Sequence, residues 1–454
     1  MTAQCLKSSV IFRSSTFDNN RGHRQTRTTC STAKTLCKSD AYGFGFAAKQ
    51  ADIQKAAREV RARDGAYGAS GTSFYTTTEK QETYDSLDTV LDAKCRDTQV
   101  RKVIVEMLEA VADITEALRS ALVTVEGSSN TFGDAQLSVD VIADEIMWAA
   151  CRDSAVVAYG ASEEEPEVRA CNPNGEFTVC WDPLDGSSIV DNNWAVGTMI
   201  GVWGSKSGTG ADGLIGATGR DQKTSLVALY GPRTTVLVAL DDGVYEFSYG
   251  CTPEGCQLSD GSYEPWICSR HQIKIDEDCK IFAPANLRAA KEVEGYKKLI
   301  DHYMDNKYTL RYSGGLVPDV YQQFTKQQGV FSNPTSDSSP AKLRLAFEAA
   351  PFGLLVELAG GKTSDGVSGR SVLDVQINAV DQRTALCIGS ANEVDRFNDM
   401  ICVVDSSTWD EPPPAAAPAP RAAPVAAAPA AGDYAGLSPA QIEFMERRKA
   451  ERGY

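Results

Sequence analysis

Apolar residues return at spacings of three and four through VRKVIVEMLEAVADITEALRSALVTV (100–125), with Val103, Ile104, Met107, Leu108, Val111, Ile114 and Leu118 on one face. That period predicts an amphipathic helix within 85–126. The polar break EGSSNTFGD (126–134) precedes AQLSVDVIADEIMWAACRD, a second helix of the same kind. From residue 178 the pattern changes. TVCW, WAVGTMIGVWG and SLVALYGPRTTVLVALDDGVYEFSY are rich in Val, Thr and aromatics and are bounded by Gly, Asp and Pro, which predicts strands. Helical segments return near 289–304, 316–327 and 340–359. The expected fold class is a layered α/β (α+β) enzyme with two sheet-containing halves.

Neither end follows these periods. Residues 1–40 hold Lys7, Arg13, Arg21, Arg24, Arg27, Lys34 and Lys38 against Asp18 and Asp40, among many Ser and Thr. This is the signature composition of a mitochondrial or plastid transit peptide, with a disordered basic tail as the alternative. The stretch 62–82 has no period, so the fold is expected to begin near residue 85. At the other end, EPPPAAAPAPRAAPVAAAPAAG (411–432) is an Ala/Pro spacer. In LSPAQIEFMERRKAERGY (437–454), Ser438, Pro439 and Gln441 make a helix start, and Leu437, Ile442 and Met445 a small apolar patch. Such a helix is a docking motif for a protein partner or a frayed tail. The expected organisation is 1–84 transit peptide and disordered segment, 85–270 metal- and phosphate-binding half, 271–405 sugar-phosphate-binding half, 406–432 linker, and 433–454 short terminal helix.

Bulk properties narrow the classes. The 454 residues are 42% hydrophobic, enough for real cores, with a formal charge of −16. Such an acidic chain is not expected to bind nucleic acid. No run of eighteen apolar residues appears, so no membrane span is expected. The 13 cysteines are scattered without zinc-site spacing, which favours a reducing compartment.

The chemistry concentrates in CWDPLDGSSIVDNN (180–193). Asp182 and Asp185, with the Leu184 carbonyl between them, are donors for a hard cation. Gly186, Ser187 and Ser188 offer successive N–H groups and hydroxyls for a phosphate. Local sequence leaves a surface turn equally open.

The order of blocks changes the balance. NTFGDAQLSVDVIAD, ASEEEPE, WDPLDGSSIVDNN, VGTMIGVW, YGPRTT, FAPANLRAA, YTLRYSGGLVPDVY and KLRLAFEAAP, spread over 95–403, resemble the fructose-1,6-/sedoheptulose-1,7-bisphosphatase family in order and spacing. IVDNNWAVGTMIGVW, YGPRTT and FAPANLRA look like its sedoheptulose branch. Ser332 stands where the fructose enzymes typically carry a sugar-phosphate-contacting Tyr, which suggests room for a longer sugar.

The resemblance implies Mg²⁺-dependent hydrolysis of the 1-phosphate of a sugar bisphosphate. Glu163, Glu164, Asp182, Asp185, Glu348 and the Leu184 carbonyl would hold Mg²⁺. Asp134 would lie on a mobile loop closing on the site, and Asp140 and Glu164 would orient and deprotonate water. Gly186, Ser187 and Ser188 would grip the departing phosphate, while Asn286, Arg311, Tyr312 and Lys342 would hold the distal phosphate and sugar. In the family the residue matching Arg311 reaches in from a neighbouring subunit, which implies a homodimer or larger. With a plastid transit peptide, the enzyme would serve the Calvin cycle in the chloroplast stroma. A fructose-1,6-bisphosphatase is the alternative, and a scaffold acting through the tail is a reading of a different class.

One departure stands out. Plant-type relatives carry a redox-regulated C-x4-C pair before the SFGD-like segment, whereas ALRSALVTVEGSSNTFGD (117–134) has no cysteine. Cys251 and Cys256 form a different C-x4-C, either a redox-sensitive disulfide or two loop thiols. Glu165 and Glu167 read as solvated, Asp191 as a turn cap, and Arg288 and Arg344 as scaffold ion-pair partners.

Overall fold

The long three-and-four pattern forms helix Thr98–Ser120, with Val103 through Ile114 of its apolar face fully buried and Leu118 half-buried against the same core. The helical region over 85–126 is divided. Cys95 takes an extended backbone that closes a shorter helix, Leu87–Lys94. Asp97 then accepts the Gln99 and Val100 N–H groups at 2.8 and 3.3 Å and caps the next helix. The computed structural model describes residues 84–120, 125–129, 135–210, 212–250, 256–258 and 263–402, together with Ile442, Glu446 and Arg447. The transit-peptide region, Asp134, Cys251 and the 406–432 linker lie outside the described residues. Of the terminal segment, Ile442, Glu446 and Arg447 are helical.

The first sheet has nine strands in the order Asp85–Ser86, Trp266–Ile273, Gly243–Tyr249, Thr234–Leu240, Gln222–Tyr230, Val196–Gly204, Phe177–Asp185, Val157–Ser162, Arg169–Ala170. Every neighbouring pair in it is antiparallel except Val157–Ser162 beside Phe177–Asp185. Its central strands are buried on both faces, which is why Thr234–Leu240 reads as a continuous apolar and Thr run without alternation. This sheet continues past residue 270, since Trp266–Ile273 pairs with Gly243–Tyr249. The second sheet has five strands in the order Thr309–Leu310, Ile281–Pro284, Val330–Asn333, Leu386–Gly389, Lys362–Ser364.

Three cores stack these elements in layers. Helices Thr98–Ser120 and Ser138–Asp153 cover one face of the nine-stranded sheet. Helices Leu316–Lys326 and Ala350–Leu358 fill the space between the two sheets. Helices Glu294–Asp305 and Ala391–Ile401 cover the outer face of the five-stranded sheet through Tyr296, Leu299, Tyr303, Val394 and Phe397. The result is a helix–sheet–helix–sheet–helix α/β stack, as expected.

The helix anticipated over 340–359 is shorter. Leu343 and Leu345 exchange backbone bonds with Thr384 and Gln382 at 2.8 and 2.7 Å, which keeps 343–345 extended. A π-helical turn, Leu345–Ala349, then leads into Ala350–Leu358. No helix among the described residues is long and apolar enough to cross a membrane.

Candidate active site

The one parallel pair of the large sheet assembles the acids. Its register sets Ser162 beside Trp181, so the next residues along the two chains, Glu163 just past its strand and Asp182 within its own, lie side by side. The Glu163 N–H donates to the Trp181 carbonyl at 3.0 Å and extends the pairing by one residue.

CWDPLDGSS is not a surface turn. Strand Phe177–Asp185 runs through Asp185, and Asp182 is buried. In a regular strand, positions three apart point to opposite faces. Here Asp182 faces Met199 and Asp185 faces Gly197, so three steps on one strand match two on the other. This bulge turns both carboxylates to one side. The Thr198 hydroxyl pins it by donating to the Pro183 carbonyl at 2.7 Å, and the Leu184 N–H donates to Asp182 Oδ1 at 3.0 Å.

Glu348 arrives from the π-helical turn between the sheets, and its carboxylate accepts the Arg344 backbone N–H. Carboxylate oxygens of Asp182, Asp185 and Glu348 lie within 4.8 Å of one another. Burial pushes the Asp185 carboxyl up to about 7, against the lowering hydrogen bonds from Val317 and Leu316. Asp182 and Glu348 are pushed well above the carboxylate range by burial first and the Glu163 charge second. Three oxygen donors, Asp182 and Glu348 buried and Asp185 half-buried, fit a hard divalent cation, which replaces the proton as counter-charge.

The other expected ligands stand close by with different partners. Glu163 is ion-paired with the buried Arg344 guanidinium, so Arg344 is a scaffold partner as expected. Glu164 is half-buried, and its N–H donates to Ser162 Oγ at 3.2 Å. Asp140 is buried in the first turn of helix Ser138–Asp153. Glu165 is exposed and pairs with Arg169, and Asp191 is exposed at the end of helix Ser187–Val190. Gly186, with φ of 85°, is the left-handed hinge from strand into that short helix, which Ser187 and Ser188 begin.

Asp185 also opens onto a cavity of about 270 Å³ lined by Asn286, Arg288, Tyr312, Asn333 and Lys342 among others. Three of the four residues expected to hold sugar and distal phosphate therefore meet there. Asn286 is a brace within it. Its amide donates to the Pro334 and Ser339 carbonyls, both at 2.8 Å, and accepts from the Ser339 hydroxyl at 2.6 Å. Arg311 is exposed and does not line this cavity. Ser332 does not enlarge it either. Strand alternation aims Phe331 and Asn333 at the cavity's lining while Ser332 is buried against the Tyr296 hydroxyl, 3.4 Å from its Oγ.

Arg288 was expected in a scaffold ion pair. It is instead exposed at the cavity and has no ion pair among the described residues. The left-handed Asn286 (φ of 47°) turns strand Ile281–Pro284 into the short helix that carries it, and a local motif gives no sign of that turn. Asp144 was also missed, although it stands one helical turn after Asp140. The described cysteines are all free thiols; Cys256 begins strand Cys256–Gln257, and its side chain lies outside the described residues.

A buried cluster of hard oxygen donors opening onto a cationic pocket, in a layered α/β stack, defines a phosphate-ester hydrolase of the sugar-phosphatase kind. The comparisons with known proteins agree. The family profiles "Fructose-1-6-bisphosphatase, N-terminal domain" and "C-terminal domain" match residues 76–255 and 275–402. The chain belongs to the fructose-1,6-bisphosphatase family of sugar-bisphosphate phosphatases. It is 42% identical over 342 residues to chloroplastic sedoheptulose-1,7-bisphosphatase of Spinacia oleracea, covering 75% of this chain and 83% of that one. To the class 1 fructose-1,6-bisphosphatase of Pelobacter propionicus it is 36% identical over 314 residues, covering 68% and 91%. The crystal structure of a putative sedoheptulose-1,7 bisphosphatase from Toxoplasma gondii superposes with a TM-score of 0.62 at 44% identity, covering 69% of this chain and 98% of that one.

Proposed function

We propose that the chain hydrolyses the 1-phosphate of sedoheptulose 1,7-bisphosphate, giving sedoheptulose 7-phosphate and phosphate, with Mg²⁺ as its metal. The observation that carries this reading is the double membership of Asp185, in the carboxylate cluster and in the wall of the cationic cavity. A bisphosphate placed in that cavity sets one phosphate among Arg288, Tyr312 and Lys342 and the other at the acids.

Asp182, Asp185 and Glu348 would hold the metal, with Glu163, Glu164 and the Leu184 carbonyl completing the set. Bound there, Mg²⁺ supplies charge neutralisation for the transferring phosphoryl group and its leaving oxygen. Asp140 and Glu164 would take the proton from the attacking water, a step in which Asp134, outside the described residues, would share as the family resemblance implies. Gly186, Ser187 and Ser188 hold the departing phosphate. Lys342, Tyr312 and Arg288, with Asn286 bracing the 334–340 loop, hold the far end, so binding energy there serves alignment of the reacting phosphate. Arg311, exposed outside its own chain's cavity, would complete the cavity of a second copy in a homodimer.

The similarity to chloroplastic relatives and the basic first forty residues support a place in the plastid stroma and the Calvin cycle. The terminal helix would dock a protein partner. The second reading, fructose-1,6-bisphosphatase, is favoured by the class 1 relatives. Phosphate release from the two sugar bisphosphates, compared in Mg²⁺ buffer, tests the assignment: the sedoheptulose substrate is expected to have the higher kcat/KM. A clear preference for fructose 1,6-bisphosphate would reverse the substrate, and no release from either would remove the reading.

A further inference from the structure

Helix Ser138–Asp153 brings a second carboxylate to the site, one turn beyond Asp140, and it faces the strand ends rather than the cavity. Asp144 Oδ1 accepts the Ser162 hydroxyl at 2.5 Å and the Trp181 indole N–H at 2.9 Å. Each of those two residues holds an acid-bearing segment in turn. The Ser162 Oγ accepts the Glu164 N–H at 3.2 Å, and the Trp181 carbonyl accepts the Glu163 N–H at 3.0 Å. Trp181 immediately precedes Asp182. A single oxygen therefore ties together the helix of Asp140, the strand end of Glu163 and Glu164, and the strand of Asp182.

The surroundings make the tie rigid. Trp148 and Trp181 meet edge to face with centroids 4.7 Å apart. Gly160 lies beneath them, where an added Cβ would come 3.0 Å from both rings. No cation pairs with Asp144 in this core among the described residues. Burial pushes its carboxyl up to about 7, with the Ser162 and Trp181 bonds opposing and the Glu164 charge adding to the rise. The carboxylate is explained by what it holds.

We propose that Asp144 is a positioning residue: through Ser162 and Trp181 it sets the backbone of Glu163 and Glu164 in register with Asp182, so that acids from three segments converge on one cation. The proposal rests on the reading of those acids as the metal and water site.

The test uses the full chain and two readouts, Mn²⁺ affinity by electron paramagnetic resonance and steady-state hydrolysis of sedoheptulose 1,7-bisphosphate. Asp144→Ala removes the shared acceptor and is expected to weaken Mn²⁺ binding and lower kcat by about 10–100-fold, with the sugar-bisphosphate KM unchanged. Asp144→Asn keeps an acceptor oxygen in place and is expected to stay within about threefold of wild type, a rescue that follows from Oδ1 as the acting atom. Ser162→Ala is expected to reproduce part of the loss, and the double variant to be no worse than Asp144→Ala alone, because both remove one path. Wild-type Mn²⁺ affinity in Asp144→Ala would overturn the proposal, as would equal damage from Asn and Ala. If Asp144→Ala does not fold, Ser162→Ala decides, since it leaves Asp144 and Trp181 in the core; unchanged Mn²⁺ affinity there overturns the proposal. Wild-type protein that binds Mn²⁺ yet hydrolyses neither sugar bisphosphate would refute the function while leaving the Mn²⁺ comparison intact.

Discussion

Asp185 Oδ2 accepts the backbone N–H of Val317 at 2.6 Å, across 132 positions of chain. This bond fastens the carboxylate cluster of the nine-stranded sheet to helix Leu316–Lys326, which packs between the two sheets. The approach is close because strand Val196–Gly204 carries no side chain at Gly197: a Cβ there would stand 2.4 Å from both the Ala228 carbonyl and Val317 Cγ1. Gly197→Ala is therefore expected to push that helix outward. A loss of about 1–3 kcal/mol in urea unfolding should accompany a fall in kcat/KM, and wild-type values of both would show that the helix does not need this contact.

The metal-free cluster links stability to pH. Because the folded-state proton affinities of Asp182, Asp185 and Glu348 are raised, folding is favoured by protonation. That contribution is fully present below the ordinary carboxylate range and is lost as pH climbs through the folded value, about 7 for Asp185. In chelator, the melting temperature of the wild type relative to Asp185→Asn is expected to drop between about pH 4 and pH 8. Mg²⁺ should restore it near pH 8 and do little near pH 5, since protons and cation compete for the same oxygens. A Mg²⁺ effect equal at both pH values would contradict the cluster as its site.

Glu348→Gln keeps the shape of the turn and removes one charge of the carboxylate cluster proposed to hold the cation. A loss of roughly 100-fold or more in kcat at saturating substrate is expected, from several kcal/mol of lost charge stabilisation. Titration of Mg²⁺ dependence checks whether added metal recovers part of the rate.

Arg288 and Lys342 are exposed cations on the wall of the same cavity. Replacing Arg288 by Gln should raise KM for the sugar bisphosphate about tenfold with little change in kcat, the signature of a group acting on the remote phosphate in ground and transition state alike. A fall in kcat at constant KM would place Arg288 at the reacting phosphate instead.

Arg344 is buried and pairs with Glu163, so its removal strands a charge. Arg344→Met is expected to destabilise by about 3–5 kcal/mol in denaturant unfolding, and Arg344→Met/Glu163→Gln to recover much of it. Additive losses in the double variant would mean that the two side chains act independently.

Much of the fold was legible in the chain. The helix of Val103–Ile114 announces itself by period, because an amphipathic face is a one-dimensional signal. The strands from 178 to 249 do so by composition and turn residues. Helix ends were less legible: Cys95 breaks a continuing apolar period, and the 343–345 segment is kept extended by distant backbone partners, Thr384 and Gln382. At the site, residue types and block order nominated Asp182, Asp185 and Glu348.

What sequence alone determined, then, is the family and the layered α/β class, with the three carboxylates Asp182, Asp185 and Glu348 as candidates, since these depend on residue type, period and order. Tertiary structure decided the rest. A bulge opposite Thr198 turns Asp182 and Asp185 to one side where a regular strand would part them, and a single parallel strand pair brings Glu163 beside Asp182. Tertiary packing paired Glu163 with Arg344, spent the Asn286 amide on the 334–340 loop, buried Ser332 and left Arg288 at the cavity. Each of these outcomes depends on which distant backbone lies alongside, and that is a property of the packed sheet and not of the local chain.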